Sequence, residues 1–251
     1  MVVEIFSFLI LGIFVMTSLR SSSIPVTDPS AGLRITEIFY SLQGEANAAG
    51  LPTVFIRLTG CPLRCDYCDT TYSFEGGNRL SLNEIIETAA SHQTPYICVT
   101  GGEPLAQPNC LNLLHELCER GFSVSLETSG ALDVSKVDPR VSKVMDLKTP
   151  ASGEMARNLL SNLTHLTPID QIKFVICDRT DYEWAKEQVA LYQLQDKVST
   201  VWFSPAFAIE PGQVKLPALA RDLAQWILDD HLPVRFQLQL HKLLWNDETG
   251  R

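Results

Sequence analysis

The chain has 251 residues, 45% of them hydrophobic and 20% charged, with a formal charge of −9. Such a composition supplies a sizeable core and excludes disorder, while the acidic balance excludes a nucleic-acid binder that relies on phosphate attraction. Seven cysteines, an odd number in a chain too long for a small secreted domain, exclude a disulfide framework. Reduced thiols in the cytoplasm and a small-molecule partner are the reading.

The N-terminal MVVEIFSFLILGIFVMTSLRSSS holds an apolar run from Ile5 to Leu19. It is short against the roughly 20 residues of a membrane span, and the MVVE ahead of it is acidic where a signal peptide is basic. No membrane association is expected. Residues 1–32 are read as an extension, either a weak anchor or, the favoured reading, the product of a misplaced start with Met16 a natural first residue, and 33–251 as one domain.

Beyond Leu33, β-rich runs fall at 54–58, 96–100, 122–127, 142–147, 171–176, 200–204 and 234–240. Amphipathic helical stretches fall at 80–91, 109–120, 154–165, 180–193 and 215–230. Strands alternating with helices predict βαβ units, an α/β fold with a mostly parallel sheet. The polar motifs sit where these strands end: CPLRCDYCDT, TGGEP, ETSG, DLKTP, FSPAF and HK. Barrel enzymes carry their chemistry on that edge.

Cys61, Cys65 and Cys68 are spaced C-x3-C-x2-C. Structural zinc wants four ligands, which only the distant His92 or Cys98 could complete, and a C-x-x-C redox pair leaves Cys61 unexplained. Three thiolates on a 4Fe–4S cube explain the count, because the fourth iron stays open for a ligand. Cys98, Cys110, Cys118 and Cys177 share no spacing and read as small buried hydrophobes.

The cysteine loop followed by Gly101, Gly102, Glu103 and Pro104 resembles the radical S-adenosylmethionine superfamily. A finer resemblance, to the 7-carboxy-7-deazaguanine synthase family, rests on EIFYSLQGE (37–45), GLPTVFIRL (50–58), CDT (68–70), VTGGEPLAQ (99–107), ETSG (127–130), DLKTPASGE (146–154), KFVI (173–176), FSPAF (203–207) and QLHK (239–242). It covers about Ile35 to Trp245.

That resemblance implies an open, partial parallel β/α barrel with a reduced core. It also implies a 4Fe–4S cluster, S-adenosylmethionine and Mg²⁺, a flavodoxin or ferredoxin as electron donor, and a homodimer. The implied reaction contracts the ring of 6-carboxy-5,6,7,8-tetrahydropterin to 7-carboxy-7-deazaguanine with loss of ammonia, in queuosine or deazapurine biosynthesis. A hydrogen is removed from the carbon bearing the carboxylate and later returned, so S-adenosylmethionine is regenerated.

Carried over residue by residue, Cys61, Cys65 and Cys68 would hold the cluster and Thr70 the Mg²⁺. Tyr67, Gly102, Glu103, Ser129, Asp146, Leu147, Lys148, Ser204 and Pro205 would form the S-adenosylmethionine site, Glu103 accepting from the methionine ammonium. Leu42, Gln43, Gly44, Glu45, Arg57, Thr100 and His241 would face the pterin, with Arg57 receiving its carboxylate. The chain departs from the family pattern at Ala46, where glycine is usual, so that loop is expected to bend less. It also runs on through WNDETGR, which puts a terminal-carboxylate contact to substrate in doubt. Two other readings stay open, a radical enzyme that activates a partner protein and a non-enzymatic zinc-binding module.

Overall fold

The computed structural model describes residues 32–206, 218–245 and 248–250. The N-terminal extension up to Ala31, Phe207 and the start of the expected 215–230 helix lie outside them.

A strand pair opens the fold: β1 (Leu33–Leu42) runs antiparallel to β2 (Pro52–Leu58), and the short β3 (Asn78–Leu80) pairs with the far side of β1. Thereafter strands and helices alternate as α1 (Leu82–Ala90), β4 (Tyr96–Gly101), α2 (Cys110–Glu119), β5 (Ser123–Thr128), β6 (Ser142–Asp146) and β7 (Gln171–Ile176). The chain continues through α3 (Arg179–Tyr192), α4 (Leu194–Lys197), β8 (Thr200–Pro205), α5 (Ala218–Asp229), β9 (Arg235–Phe236) and α6 (Leu240–Trp245). Among the described residues nine strands lie in the order β3-β1-β2-β4-β5-β6-β7-β8-β9, parallel from β2 to β9. The sheet is not closed, which makes it an open partial barrel.

Side chains of a strand alternate between faces, and here the two faces differ in chemistry. On the convex face Val54, Ile56, Leu58, Ile97, Val99, Leu126, Met145, Ile172, Phe174 and Ile176 join the helices in one apolar core. The alternate positions Phe55, Arg57, Thr100, Glu127, Val144, Asp146, Lys173 and Val175 face a cavity instead. The helices are set by local signals. In α1, for example, Ser81 and Glu84 form a capping box, and Leu82, Ile85, Ile86 and Ala89 are buried on one face.

Several expectations are corrected. The 154–165 stretch forms two short 3₁₀ turns, Met155–Arg157 and Leu160–Thr164, rather than one helix. The Asn162 amide there donates to the carbonyls of Gly130 and Leu132, so this segment is held as a connector. The 234–240 run keeps only two strand residues, and the HK pair lies on α6. Residues 33–42 form a strand that the spacing of apolar runs did not single out. Cys98, Cys110 and Cys118 are buried as expected, and Cys177 is half-buried. Among the described residues, no helix is long and apolar enough to cross a membrane.

Candidate active site

The concave face and the loops at the strand ends enclose a cavity of about 750 Å³. Leu42, Gln43, Gly44, Glu45, Arg57, Cys61, Cys65, Tyr67, Cys68, Thr70, Thr100, Gly102, Ser129, Asp146, Lys148 and His241 all line it. Segments almost 200 residues apart in sequence thus converge because the sheet curls around one hollow.

The cysteine loop hangs between β2 and the 3₁₀ turn Thr71–Ser73, pinned by Gly60 N–H donating to the Ser73 carbonyl at 2.8 Å. Burial is the main cause that pushes the Cys65 thiol up to about 11, and it raises Cys61 as well. A buried thiol of that kind ionises when a metal centre takes its proton's place. Among the described residues, no three His, Cys, Asp or Glu groups converge on a point that could hold one metal ion. Three thiols on one loop supply three corners of a cube and leave a tetrahedral zinc one ligand short.

Gly102 lies against that wall. A Cβ there would come within 2.7 Å of the Cys61 Cβ, so only glycine lets the two loops approach so closely. Glu103 beside it does not line the cavity and is fully buried. Its carboxylate accepts from the Thr128 hydroxyl (3.0 Å), the Ser129 N–H (2.8 Å), the Ser129 hydroxyl (2.6 Å) and the Leu105 N–H (3.1 Å). Its own N–H donates to the Gly60 carbonyl at 2.9 Å. Glu103 thus braces three loops directly beneath Gly102 and Ser129, which line the cavity. Leu147 and Ser204 are buried outside the cavity too, and neither they nor Pro205 line it. Leu147 packs in the convex core, and Ser204 exchanges hydrogen bonds with Gln237.

Charged groups line the rest. Lys148 pairs with Asp146 at 3.0 Å and lies 5.7 Å over the Tyr67 ring. Burial would lower its ammonium, but Asp146 and the Cys65 thiol outweigh that and hold it above its ordinary range. The other oxygen of Asp146, Oδ1, is buried without a hydrogen-bond partner. An orphaned buried acceptor is costly, and it fits a ligand that brings a donor. The thiols, the glycine cradle and this acceptor together fit a three-thiolate cluster with S-adenosylmethionine beside it.

On the opposite side Glu45 pairs with Lys173 at 2.7 Å and accepts from Gln239 at 2.8 Å. Thr100 donates to Glu127 at 3.1 Å, and the Gln43 amide lies 3.5 Å from the same carboxylate. Arg57 Nε donates to Glu37 at 2.7 Å, the oxygen that also accepts from the Tyr72 hydroxyl at 2.8 Å. Thr70 donates to Asp69, whose carboxylate pairs with Lys242. Gly44 lies against α6, where a Cβ would collide with His241. Ala46 is in the left-handed region at φ 61° with its N–H on Gln237 Oε1 at 2.5 Å. The loop keeps its bend without glycine, contrary to expectation. Glu248, Thr249 and Gly250 also border the cavity.

Sequence reasoning missed Lys173, Glu127, Gln239, Asp69 and Lys242. A charged residue at an alternate position of an apolar parallel strand, as in QIKFVI and SVSLET, was the available signal for the first two.

The pattern of the Radical SAM superfamily matches residues 55–149. The chain is 45% identical over 222 residues to a 7-carboxy-7-deazaguanine synthase of Chlorobaculum tepidum, covering 87% of this chain and 97% of the relative. It is 44% identical over 223 residues to one of Koribacter versatilis, covering 86% and 99%. Among solved structures, QueE from Escherichia coli shares the fold with a TM-score of 0.67 at 24% identity, covering 84% of this chain and 95% of that one. With such identity across nearly the whole length of its relatives, the chain belongs to the 7-carboxy-7-deazaguanine synthase family of radical S-adenosylmethionine enzymes.

Proposed function

We propose that this cavity converts 6-carboxy-5,6,7,8-tetrahydropterin to 7-carboxy-7-deazaguanine with release of ammonia, on the route to queuosine or another deazapurine. The observation that carries the reading is that one 750 Å³ cavity is lined by both the three thiols and the 42–45 loop. Its volume lies within the 300–1,000 Å³ or so of small-molecule sites.

Cys61, Cys65 and Cys68 hold the 4Fe–4S cluster in this reading. When bound, the cluster and S-adenosylmethionine supply the one-electron chemistry that removes a hydrogen from the substrate and returns it. Gly102 brings its backbone close, Ser129 and Asp146 offer polar contacts, and Lys148 with Tyr67 closes the cofactor side. Glu45, Gln43, Thr100 and His241 read the amide and amino edge of the pterin. Arg57, stiffened by Glu37 and by the Phe39 and Tyr72 rings at 5.6 and 5.8 Å, receives its carboxylate.

Thr70 is assigned to Mg²⁺. Its hydroxyl hydrogen points to Asp69, which leaves oxygen lone pairs for a cation that keeps most of its waters. A flavodoxin or ferredoxin as reductant, a homodimer and a cytoplasmic location complete the proposal.

The test is anaerobic incubation of iron-loaded protein with S-adenosylmethionine, dithionite, Mg²⁺ and the carboxytetrahydropterin, followed by mass spectrometry. Formation of the deazaguanine acid supports the reading. Cofactor cleavage with the pterin left intact contradicts it.

A further inference from the structure

Lys173 is the one charged residue in β7, whose six residues are all buried. An ammonium in the middle of a parallel sheet is strongly disfavoured by desolvation unless it is paired. Its Nζ lies 2.7 Å from Glu45 Oε2 and 3.8 Å from Asp146 Oδ2. Asp146 stands directly opposite Lys173 in the β6–β7 register, whereas Glu45 comes from the distant β1–β2 loop.

The two carboxylates depend on Lys173 unequally. Asp146 has a nearer cation in Lys148 at 3.0 Å. The amide hydrogen bonds to the Glu45 carboxylate come from neutral groups, Gln239 at 2.8 Å and Gln237 at 3.3 Å. We propose that Lys173 is the positioning residue of the substrate half of the site, holding the buried Glu45 carboxylate ionised and aimed as the acceptor for the paired N–H donors of a 2-amino-4-oxo-pyrimidine edge. The inference rests on the reading that the 42–45 loop meets the pterin.

The surroundings support it. The charged groups facing this pair are Asp146 and Lys148 on the β6 edge, Glu127 on β5 and His241 on α6. Burial would raise the Glu45 carboxyl, but Lys173 first and His241 next outweigh it and hold it low. Without the ammonium, burial prevails and Glu45 protonates more readily. A protonated Glu45 loses one of the two acceptor oxygens the ligand edge needs.

The test is equilibrium binding of 6-carboxypterin, the oxidised analogue, and separately of S-adenosylmethionine, to iron-loaded protein between pH 5.5 and 7.5. Wild type should bind carboxypterin with a flat pH dependence over this range. Lys173→Met should bind it about tenfold more weakly at pH 5.5 and recover as pH rises, because Glu45 then regains its charge. Its S-adenosylmethionine affinity should stay within about twofold, since Lys148 retains Asp146. Lys173→Arg should restore the flat profile. Glu45→Gln/Lys173→Met, which leaves no unpaired charge on the loop, should bind carboxypterin no more weakly than Glu45→Gln alone.

A flat profile with unchanged affinity in Lys173→Met overturns the proposal. So do additive losses in the double variant, which would put Lys173 itself on the ligand. Parallel loss of both ligands, not rescued by the double variant, would make Lys173 a purely structural cation. If wild type binds S-adenosylmethionine but not carboxypterin at any pH, the substrate reading falls first.

Discussion

Asp69 and Lys242 meet at 3.2 Å, joining the residue after the third cysteine to helix α6. Burial alone would raise the Asp69 carboxyl, but Lys242, the Thr70 hydroxyl and His241 outweigh it and hold it at about 2. A carboxyl held below its ordinary 3.8 adds stability above that ordinary value and loses it as pH falls through about 2. The Asp69 side chain is 41% exposed, so water screens the pair and about 1 kcal/mol is expected. Lys242→Met should lower stability by that amount at pH 7 and pH 5, with a narrower gap at pH 3, measured by urea unfolding. A gap of equal size at pH 7 and pH 3 would contradict the pairing.

Ala46 carries a second prediction. A left-handed L-residue costs about 1–2 kcal/mol, while glycine gives back about 0.5–1 kcal/mol through the freedom of the unfolded chain. Ala46→Gly should therefore stabilise the protein by about 0.5–1 kcal/mol, visible as a higher Tm. A lower Tm would mean that packing of the buried methyl outweighs the backbone strain.

The fold was legible where period-two and period-3.6 patterns were strong, as in VFIRL, QIKFVI and the amphipathic helices. It was less legible at β1, where LRITEIFYSL puts exposed and half-buried side chains on a strand whose partners come from two directions. The last strand failed because only two residues of its apolar run reach β8 before the chain turns into α6. Within the site, residues of the loops were visible as motifs. Lys173 and Glu127 were hidden because a motif shows residue types, and only the pleat shows which of them face the cavity. Glu103 was legible as part of its motif, but its burial on Thr128 and Ser129 was not, because that contact joins the ends of two strands.

The cluster assignment separates the cysteines into two groups. Serine is a poor substitute for a thiolate on iron, so Cys61→Ser, Cys65→Ser and Cys68→Ser should each lose iron and activity. Cys118→Ser, in the convex core, should retain iron and activity at a small cost in stability. Iron and sulfide analysis of the four proteins decides the matter, and equal loss in all four would remove the assignment.

The roles proposed for Arg57, on the substrate carboxylate, and Thr70, on Mg²⁺, can be tested separately. Arg57→Lys keeps the charge but not the planar fork, and should raise KM for the pterin about tenfold with a smaller effect on kcat. Thr70→Ala should blunt activation by Mg²⁺ while iron content and pterin-free cofactor cleavage stay near wild type. Steady-state kinetics across Mg²⁺ concentrations would refute the geometry if Thr70→Ala kept the full response.

The most direct measurement follows a label through turnover. Carboxytetrahydropterin bearing deuterium on the carbon that holds the carboxylate is turned over anaerobically by the iron-loaded protein. Ammonia and deazaguanine acid should form in equal amounts, and the recovered S-adenosylmethionine should carry deuterium with little 5′-deoxyadenosine released. Unlabelled S-adenosylmethionine with the product, or 5′-deoxyadenosine formed without any ring-contracted acid, would contradict the account.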